Sequence, residues 1–167
     1  TRCRDVAVEG VRIRDAPAWT LVFDACHGVR VQGLTIHNLD IPNADGIDLH
    51  ATSNATISDC RLHVMDDAIC LKNCLVGVTM RNITVANCII RTLCNALKIG
   101  TDSSGDFDNI AFTNCAIDTE DDAPQPAIGG VNLCAVDGGA VSRVSATNLV
   151  MRNVMCPFYL IAGCRPA

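Results

Sequence analysis

Aromatic residues are scarce in this chain: one Trp, one Tyr and four Phe, 4% of 167 residues. Small and branched aliphatic side chains must therefore fill whatever core it builds. Positive charge is also in short supply. Thirteen Lys and Arg against 18 Asp and Glu leave a net charge of −5, so no basic footprint for nucleic acid exists. No apolar run approaches the ~20 residues that a membrane-spanning helix needs. The sequence opens on no signal peptide, and no linker or low-complexity run divides it. No CxxC pair and no Cys/His grouping with zinc-finger spacing is present, which argues against a structural zinc site. With 49% hydrophobic residues, material for a core is ample, and the length suits one domain spanning 1–167.

Cysteine is abundant instead: 11 residues, an odd number. Free Cys behaves as a small buried hydrophobe, and that reading suits cysteines that recur at one repeat position. A disulfide such as Cys70 with Cys94 is the alternative. A disulfide framework would argue for secretion, and stacked free thiols would not.

Six segments share one outline: "VEGVRI" 8–13, "VQGLTI" 31–36, "ISDCRL" 57–62, "VANCII" 85–90, "FTNCAI" 112–117 and "ATNLVM" 146–151. Each reads apolar, polar, Gly/Asp/Asn, apolar, variable, apolar. The third positions are Gly10, Gly33, Asp59, Asn87, Asn114 and Asn148, at steps of 23, 26, 28, 27 and 34 residues. Asn54, Asn82 and Asn109 each precede their segment by three residues, and Cys60, Cys88 and Cys115 occupy one repeat position. Stacked coils produce such a pattern. Asn amides hydrogen-bond along a column at a bend, while small apolar residues fill the interior below.

Repeats of this length, rich in Val, Ile and Thr and broken by Gly, Asn and Asp, disfavour helical repeats. The LxxLxLxxN frame of leucine-rich repeats is absent. The expected fold is all-β: a parallel β-helix of about six coils, each giving about three short strands. "DTEDDAPQP", 118–126, is expected to be a loop between coils. Neither end carries an amphipathic capping helix. The chain is thus expected to be the central part of a longer protein, or to have a partner over its ends.

Four further segments align within this frame: Asp45-Gly46-Ile47-Asp48-Leu49, Asp67-Ala68-Ile69-Cys70-Leu71, Asn95-Ala96-Leu97-Lys98-Ile99 and Gly129-Gly130-Val131-Asn132-Leu133. Period-two alternation sends Ile47, Ile69, Leu97 and Val131 into the core. It sends Asp48, His50, Cys70, Lys72, Lys98 and Asn132 outward. Asp45, Asp67 and Asn95 then form one column at the strand entrances, with Asp66 beside Asp67. Three clustered carboxylates repel, and the repulsion should raise at least one pKa. Mixed protonation of that kind serves general acid–base chemistry on a glycosidic bond. Lys72 and Lys98 could bind an anionic sugar from the adjoining outward face. The blander alternative has these Asp and Asn side chains bonding local backbone amides or calcium. His27, His37, His50 and His63 form no triad-like pattern, and only His50 is expected to face the cleft.

These motifs resemble those of the polygalacturonase family of pectin-cleaving glycoside hydrolases, whose pattern runs N-T-D-G-I-D, then D-D-C-I-A-I, then G-H-G-I-S-I-G-S. The counterparts are "NADGID" 43–48, "DDAICL" 66–71 and "CNALKIGT" 94–101, and "APAWTLVFDACHGVRVQGLTI" 16–36 is similar to the strand before the catalytic coils. The resemblance covers about residues 10–165 and points to a bacterial-type branch. It implies a right-handed β-helix and a secreted or periplasmic location. It also implies Asp66 as general acid, and Asp45 and Asp67 holding and deprotonating the attacking water. Inversion at the anomeric carbon follows, with acid and base ~6.5–9.5 Å apart. Asp48, His50, Lys72, Asn95 and Lys98 are the implied substrate-binding residues. No metal or organic cofactor is implied, and the partner is an acidic, pectic polysaccharide. Two positions depart from the pattern. The family's histidine falls on Asn95, and its R-I-K motif falls on Asn132-Leu133-Cys134. A non-catalytic carbohydrate-binding or structural β-helix is the second reading, and a β-helix lyase or epimerase the third.

Overall fold

The computed structural model describes residues 1–165. The chain winds through six coils of three strands each. The first holds β1 (Arg4–Glu9), β2 (Arg12–Arg14) and β3 (Leu21–Asp24), and the second β4 (His27–Gln32), β5 (Thr35–Asn38) and β6 (Ile47–His50). The third holds β7 (Ser53–Ser58), β8 (Arg61–Val64) and β9 (Ile69–Asn73), and the fourth β10 (Thr79–Ala86), β11 (Ile89–Thr92) and β12 (Asn95–Ser103). The fifth holds β13 (Asp106–Thr113), β14 (Ala116–Asp118) and β15 (Ala127–Ala135), and the sixth β16 (Val141–Thr147), β17 (Val150–Arg152) and β18 (Val154–Ala162). Equivalent strands of successive coils pair in parallel, giving three six-stranded sheets. The expected parallel β-helix is what the chain forms.

Each sheet sends one column of apolar residues inward. Val31, Ile57, Val85 and Phe112 stack from the first sheet, and Ile36, Leu62, Ile90 and Ile117 from the second. Ile47, Ile69, Leu97 and Val131 stack from the third, in the register read from the sequence. All twelve are buried. This explains how the core is built with few aromatics: coils stacked ~4.8 Å apart leave room between sheets for one mostly aliphatic layer per coil, with Phe23, Phe107 and Phe112 the buried aromatic members.

The Gly/Asp/Asn position marks the bend between the first and second sheets. Gly10, Gly33, Asp59, Asn87, Asn114 and Asn148 all adopt positive φ, between 52° and 65°. Only Gly, or Asn and Asp at modest cost, enters that left-handed region readily. The side chains then bond along the stack. Asn148 Nδ2 donates to Asn114 Oδ1 at 3.1 Å, Asn114 to Asn87 at 3.4 Å, and Asn87 to Asp59 at 3.3 Å. A second ladder runs from Asn109 to Asn82 at 2.9 Å and from Asn82 to Asn54 at 2.7 Å, and these three also have positive φ.

Cys60, Cys88 and Cys115 lie buried directly inside the bend, each thiol donating to the carbonyl two residues earlier. All 11 cysteines are free thiols. The Cys70–Cys94 disulfide is therefore not formed. Cys70 lies on the outer face of β9, its thiol donating to Gly100 O at 3.2 Å, while Cys94 sits at the turn before β12. The redox argument for secretion accordingly finds no support in the thiols. Residues 119–126 form the expected loop, tied at its base by Arg91–Glu120, Arg152–Asp118 and Arg152–Asp121 ion pairs.

Candidate active site

The outer face of the third sheet carries the acidic groups. Asp45, Asp67 and Asn95 stand at the entrances of β6, β9 and β12, in adjacent coils. The Gly46 N–H donates to Asp67 O at 2.9 Å, and the Ala68 N–H to Asn95 O at 2.8 Å. Gly46 is required here by crowding: a Cβ on it would lie 2.4 Å from Ala68 O and 2.6 Å from a Leu62 methyl. The glycine lets the backbone bearing Asp45 close onto the backbone bearing Asp67.

All three carboxylates gather at this edge. One oxygen of Asp66, one of Asp67 and the Cys94 sulfur lie within 4.8 Å of each other. The charges of Asp67 and Asp66 both act on Asp45. The groups are tied to very different degrees. Asp67 is buried, with Oδ1 accepting from Asn95 Nδ2 at 2.6 Å and Oδ2 from Lys98 Nζ at 2.7 Å. Asn132 Nδ2 in turn donates to Asn95 Oδ1. Asp45 gives Oδ2 to Lys72 Nζ at 3.0 Å. Asp66 is half-buried and its carboxylate accepts one hydrogen bond, from the Asp67 N–H to Oδ1 at 2.8 Å. Thr92 Oγ1 donates to Asp66 O at 2.5 Å and also accepts from the Cys94 N–H at 2.9 Å, which fixes the turn.

Asp48 and Lys72 are on the outward side of the sheet, as alternation requires, but neither is presented to solvent. Asp48 is 0% exposed and Lys72 7%. Lys72 Nζ bonds Asp48 Oδ1 at 2.6 Å as well as Asp45, and lies 3.9 Å above the Trp19 ring. Two of its donors go to carboxylates, and its charge rests against the indole face. Lys72, expected to bind an anionic sugar from the outward face, is here paired with two carboxylates. Lys98 sits at the edge of the open cleft but is paired with Asp67. His50 is half-buried and meets Trp19 edge-on at 5.3 Å between ring centres.

Burial dominates the proton affinities. It raises Asp48 to about 7 despite Lys72, with repulsion from Asp45 and Asp67 adding. It raises Asp45 above the usual carboxylate range, against the pull of Lys72. At least one raised pKa was expected from repulsion, and in both groups desolvation comes first. Lys72 and Lys98 are both shifted upward by their carboxylate and thiol neighbours, although burial opposes this. Burial, followed by the Lys72 charge, lowers His50 and favours its neutral form.

Trp19 was not singled out from the sequence, although it is the chain's one tryptophan and precedes β3 immediately upstream of the motif coils. Its scarcity was the available signal. Cys94 is the second omission; its sulfur was weighed only for disulfides and not for proximity to the acids.

Beside these groups a cleft of about 540 Å³ opens along the sheet, walled by Lys98, Ile128, Met155 and Tyr159, with Asn95 and Asn132 at its floor. The arrangement offers one loosely held acid, two fixed carboxylates and an adjacent trough.

The model of the "Glycosyl hydrolases family 28" matches residues 1–158. A polygalacturonase of Malus domestica is 30% identical over 154 residues, covering 92% of this chain and 31% of that protein. One of Chamaecyparis obtusa is 36% identical over 87 residues, covering 52% of this chain and 16% of its own. The chain spans about a third or less of the curated relatives it matches. Among solved structures, a hyperthermoactive exopolygalacturonase of Thermotoga maritima superposes with a TM-score of 0.75 at 25% identity, covering 92% of this chain and 37% of that one. The polygalacturonase of Erwinia carotovora ssp. carotovora gives 0.77 at 21% identity, covering 95% and 42%, and speaks to the fold alone. A family model matched over nearly the whole length, on a β-helix that brings the motif carboxylates to one edge, settles membership: this chain belongs to family 28 of the glycosyl hydrolases.

Proposed function

We propose that this chain carries the catalytic coils of a hydrolase that cleaves glycosidic bonds in pectic polysaccharide, with inversion at the anomeric carbon. Asp66 is the general acid and passes its proton to the glycosidic oxygen as the bond to the leaving sugar breaks. A water attacks the anomeric carbon from the opposite face, and its proton goes to Asp45. Water adds across the bond, so no external reagent is needed.

The observation that carries this reading is the unequal tethering of the three acids. Asp67 has both oxygens engaged, by Lys98 and Asn95, and an oxygen within 4.8 Å of Asp66. It stands too near Asp66 for a substrate and a water to fit between them, so its part is to position and to stabilise positive charge. Asp45 retains an oxygen free of Lys72, and its raised pKa brings it nearer the range of an effective base. Asn95 holds Asp67 where the family pattern has histidine, so an amide supplies the bond without a titrating group. The substrate is a pectic glycan, and the site of action is outside the cytoplasm, as for enzymes that meet cell-wall polymers.

The test is reducing-end release from polygalacturonate and from rhamnogalacturonan by the parent and by Asp66→Asn. Loss of general-acid assistance lowers kcat by about 10²–10⁴-fold. Equal rates in parent and variant would refute the assignment. A product absorbing as an unsaturated uronide, lost with EDTA, would replace hydrolysis by elimination.

A further inference from the structure

The outward side of the second sheet has a charge balance opposite to that of the whole chain. Its six strands offer twelve outward positions, which flank the inward Ile13, Ile36, Leu62, Ile90, Ile117 and Met151. Five of the twelve are arginines, Arg12, Arg14, Arg61, Arg91 and Arg152, and one is acidic, Asp118. The chain as a whole has 18 acidic residues against 13 basic ones, so arginine is concentrated here against the overall trend. Two of the five are engaged by the loop at 119–126 and its base. Arg91 pairs with Glu120 at 2.6 Å, and Arg152 with Asp118 at 2.8 Å and Asp121 at 2.6 Å. Arg12, Arg14 and Arg61 are exposed, and none of them makes an ion pair among the described residues. Asp59, the acid nearest to Arg61 along the chain, instead accepts from the Gln32 and Asn87 amides at the bend.

Register sets the spacing of these groups. Arg12 stands over Thr35 and Thr35 over Arg61, while Arg14 is followed in its column by His37, His63 and Arg91. Coils stack ~4.8 Å apart and alternate residues lie ~7 Å apart along a strand, so the three unpaired arginines leave the backbone within a patch of about 10 Å by 7 Å. Beside them His37 and His63 meet edge-on at 5.2 Å between ring centres. A groove of about 240 Å³ runs among Thr35, His37, Arg61, His63, Ile89 and Arg91. The planar fork of a guanidinium matches a carboxylate through two parallel hydrogen bonds. Imidazole and hydroxyl groups suit sugar hydroxyls, and Ile89 offers an apolar surface to a pyranose face. The cations recur over successive coils, which matches a linear polymer carrying repeated carboxylates better than one small anion.

We infer that the outer face of the second sheet, centred on Arg12, Arg14 and Arg61, is a non-catalytic binding site for an anionic glycan, a polyuronate chain with free carboxylates. The clustered acids lie on the third sheet, so this face anchors polymer without touching the scissile bond. Anchoring raises the effective concentration of polymer at the cleft, an advantage that short oligomers do not share. The choice of a uronate polymer rests on the hydrolase reading, and the charge pattern stands without it.

The experiment is affinity electrophoresis of the purified protein, carrying Asp66→Asn so that the polymer persists, in gels cast with polygalacturonate, fully methyl-esterified pectin or double-stranded DNA. Retardation is expected with polygalacturonate, and it is expected to fade as added salt screens the arginines. Adding Arg12→Gln, Arg14→Gln and Arg61→Gln together should weaken it by about 10-fold, the scale of three exposed charge contacts. Melting temperature checks that this variant folds; the single variants Arg12→Gln and Arg61→Gln, each with a partial loss, carry the test if it does not. In the Asp66 background the three substitutions should leave kcat/KM on a galacturonate trimer unchanged and lower it on the polymer. Equal retardation with and without the arginines overturns the inference. So does equal retardation of the parent by methyl-esterified pectin or by DNA, since neither result needs a uronate carboxylate. Arginine-dependent retardation by a protein that hydrolyses no pectic substrate removes the hydrolase reading and keeps the anchoring site.

Discussion

At the scale of single residues, Lys72 controls more than its burial suggests. Its charge is one of the influences that lower Asp45, so its removal lets burial and the Asp66 and Asp67 charges act unopposed. Lys72→Met is expected to raise the Asp45 pKa further and to move the acidic limb of the kcat/KM profile to higher pH, where the base is again ionised. It also leaves two buried carboxylates without a cation, a change that costs about 3–5 kcal/mol. A pH profile on whatever folded fraction remains, with thermal unfolding alongside, checks both. Asp48 gives a second pH dependence. Its folded pKa of about 7 is above the ordinary 3.8, so the folded state holds the proton more tightly. That contribution is complete below about 4 and is lost as pH rises to about 7, at about 1.4 kcal/mol per unit of displacement. Asp45 is displaced in the same direction and adds to the slope. Asp48→Asn should therefore flatten the fall in melting temperature between pH 4 and 7; a slope identical to the parent's would show that Asp48 is not the group involved. The sequence made Asp45 and Asp67 legible because they repeat one coil apart, and Asp66 because it adjoins Asp67. The pairing of Lys72 with Asp48 was not legible. Alternation tells which side of a strand a residue takes, and it is silent on what covers that side.

At the scale of elements, the register of the third sheet was readable in full: Ile47, Ile69, Leu97 and Val131 pair as aligned. Side-chain period two makes a one-residue slip turn the whole core face outward, so the hydrophobic pattern leaves one register. The bends were readable for a different reason. A left-handed backbone restricts the position to Gly, Asn or Asp, and a recurring restriction is visible as a repeat even when the spacing drifts. The inward Cys column follows from the same stacking. Asn82 tests both roles of the ladder, because its φ is 58° and it bonds Asn54 and Asn109. Asn82→Ala should lose about 1–2 kcal/mol, from backbone strain and from partners left without their bonds. Asn82→Gly removes the same bonds and relieves the strain, so it should lose less. Denaturant midpoints for the two variants separate the terms; equal losses would assign the whole effect to the amide ladder.

At the scale of the whole molecule, stacking sorts the thiols by depth, and that distribution can be counted. Cys3, Cys74 and Cys164 are exposed, Cys94 and Cys156 intermediate, and the remaining six buried. Thiolate character and access jointly set reactivity, so these classes should label in three steps. Cys3 and Cys164 should react first with a neutral alkylating reagent, and Cys74 more slowly, since burial and the Asp102 charge raise its pKa. Cys94 should lag beyond what its exposure implies, since burial and the charges of Asp67 and Asp66 all raise its pKa and deplete the thiolate. The six buried thiols should react only as the coils open. Mass spectrometry of the native protein over time, and again across a denaturant series, reads each site separately. Fast native labelling of Cys60, Cys88 or Cys115 would contradict the interior column, and with it the stacking that brings Asp45 and Asp67 to one edge. Ligand binding supplies the link back to function. An oligosaccharide seated against Asp66 and Asp67 should protect Cys94 selectively, leaving the rates at Cys3 and Cys164 unchanged, because the Cys94 sulfur lies within 4.8 Å of an oxygen of each acid, while Cys3 precedes β1 and Cys164 follows β18.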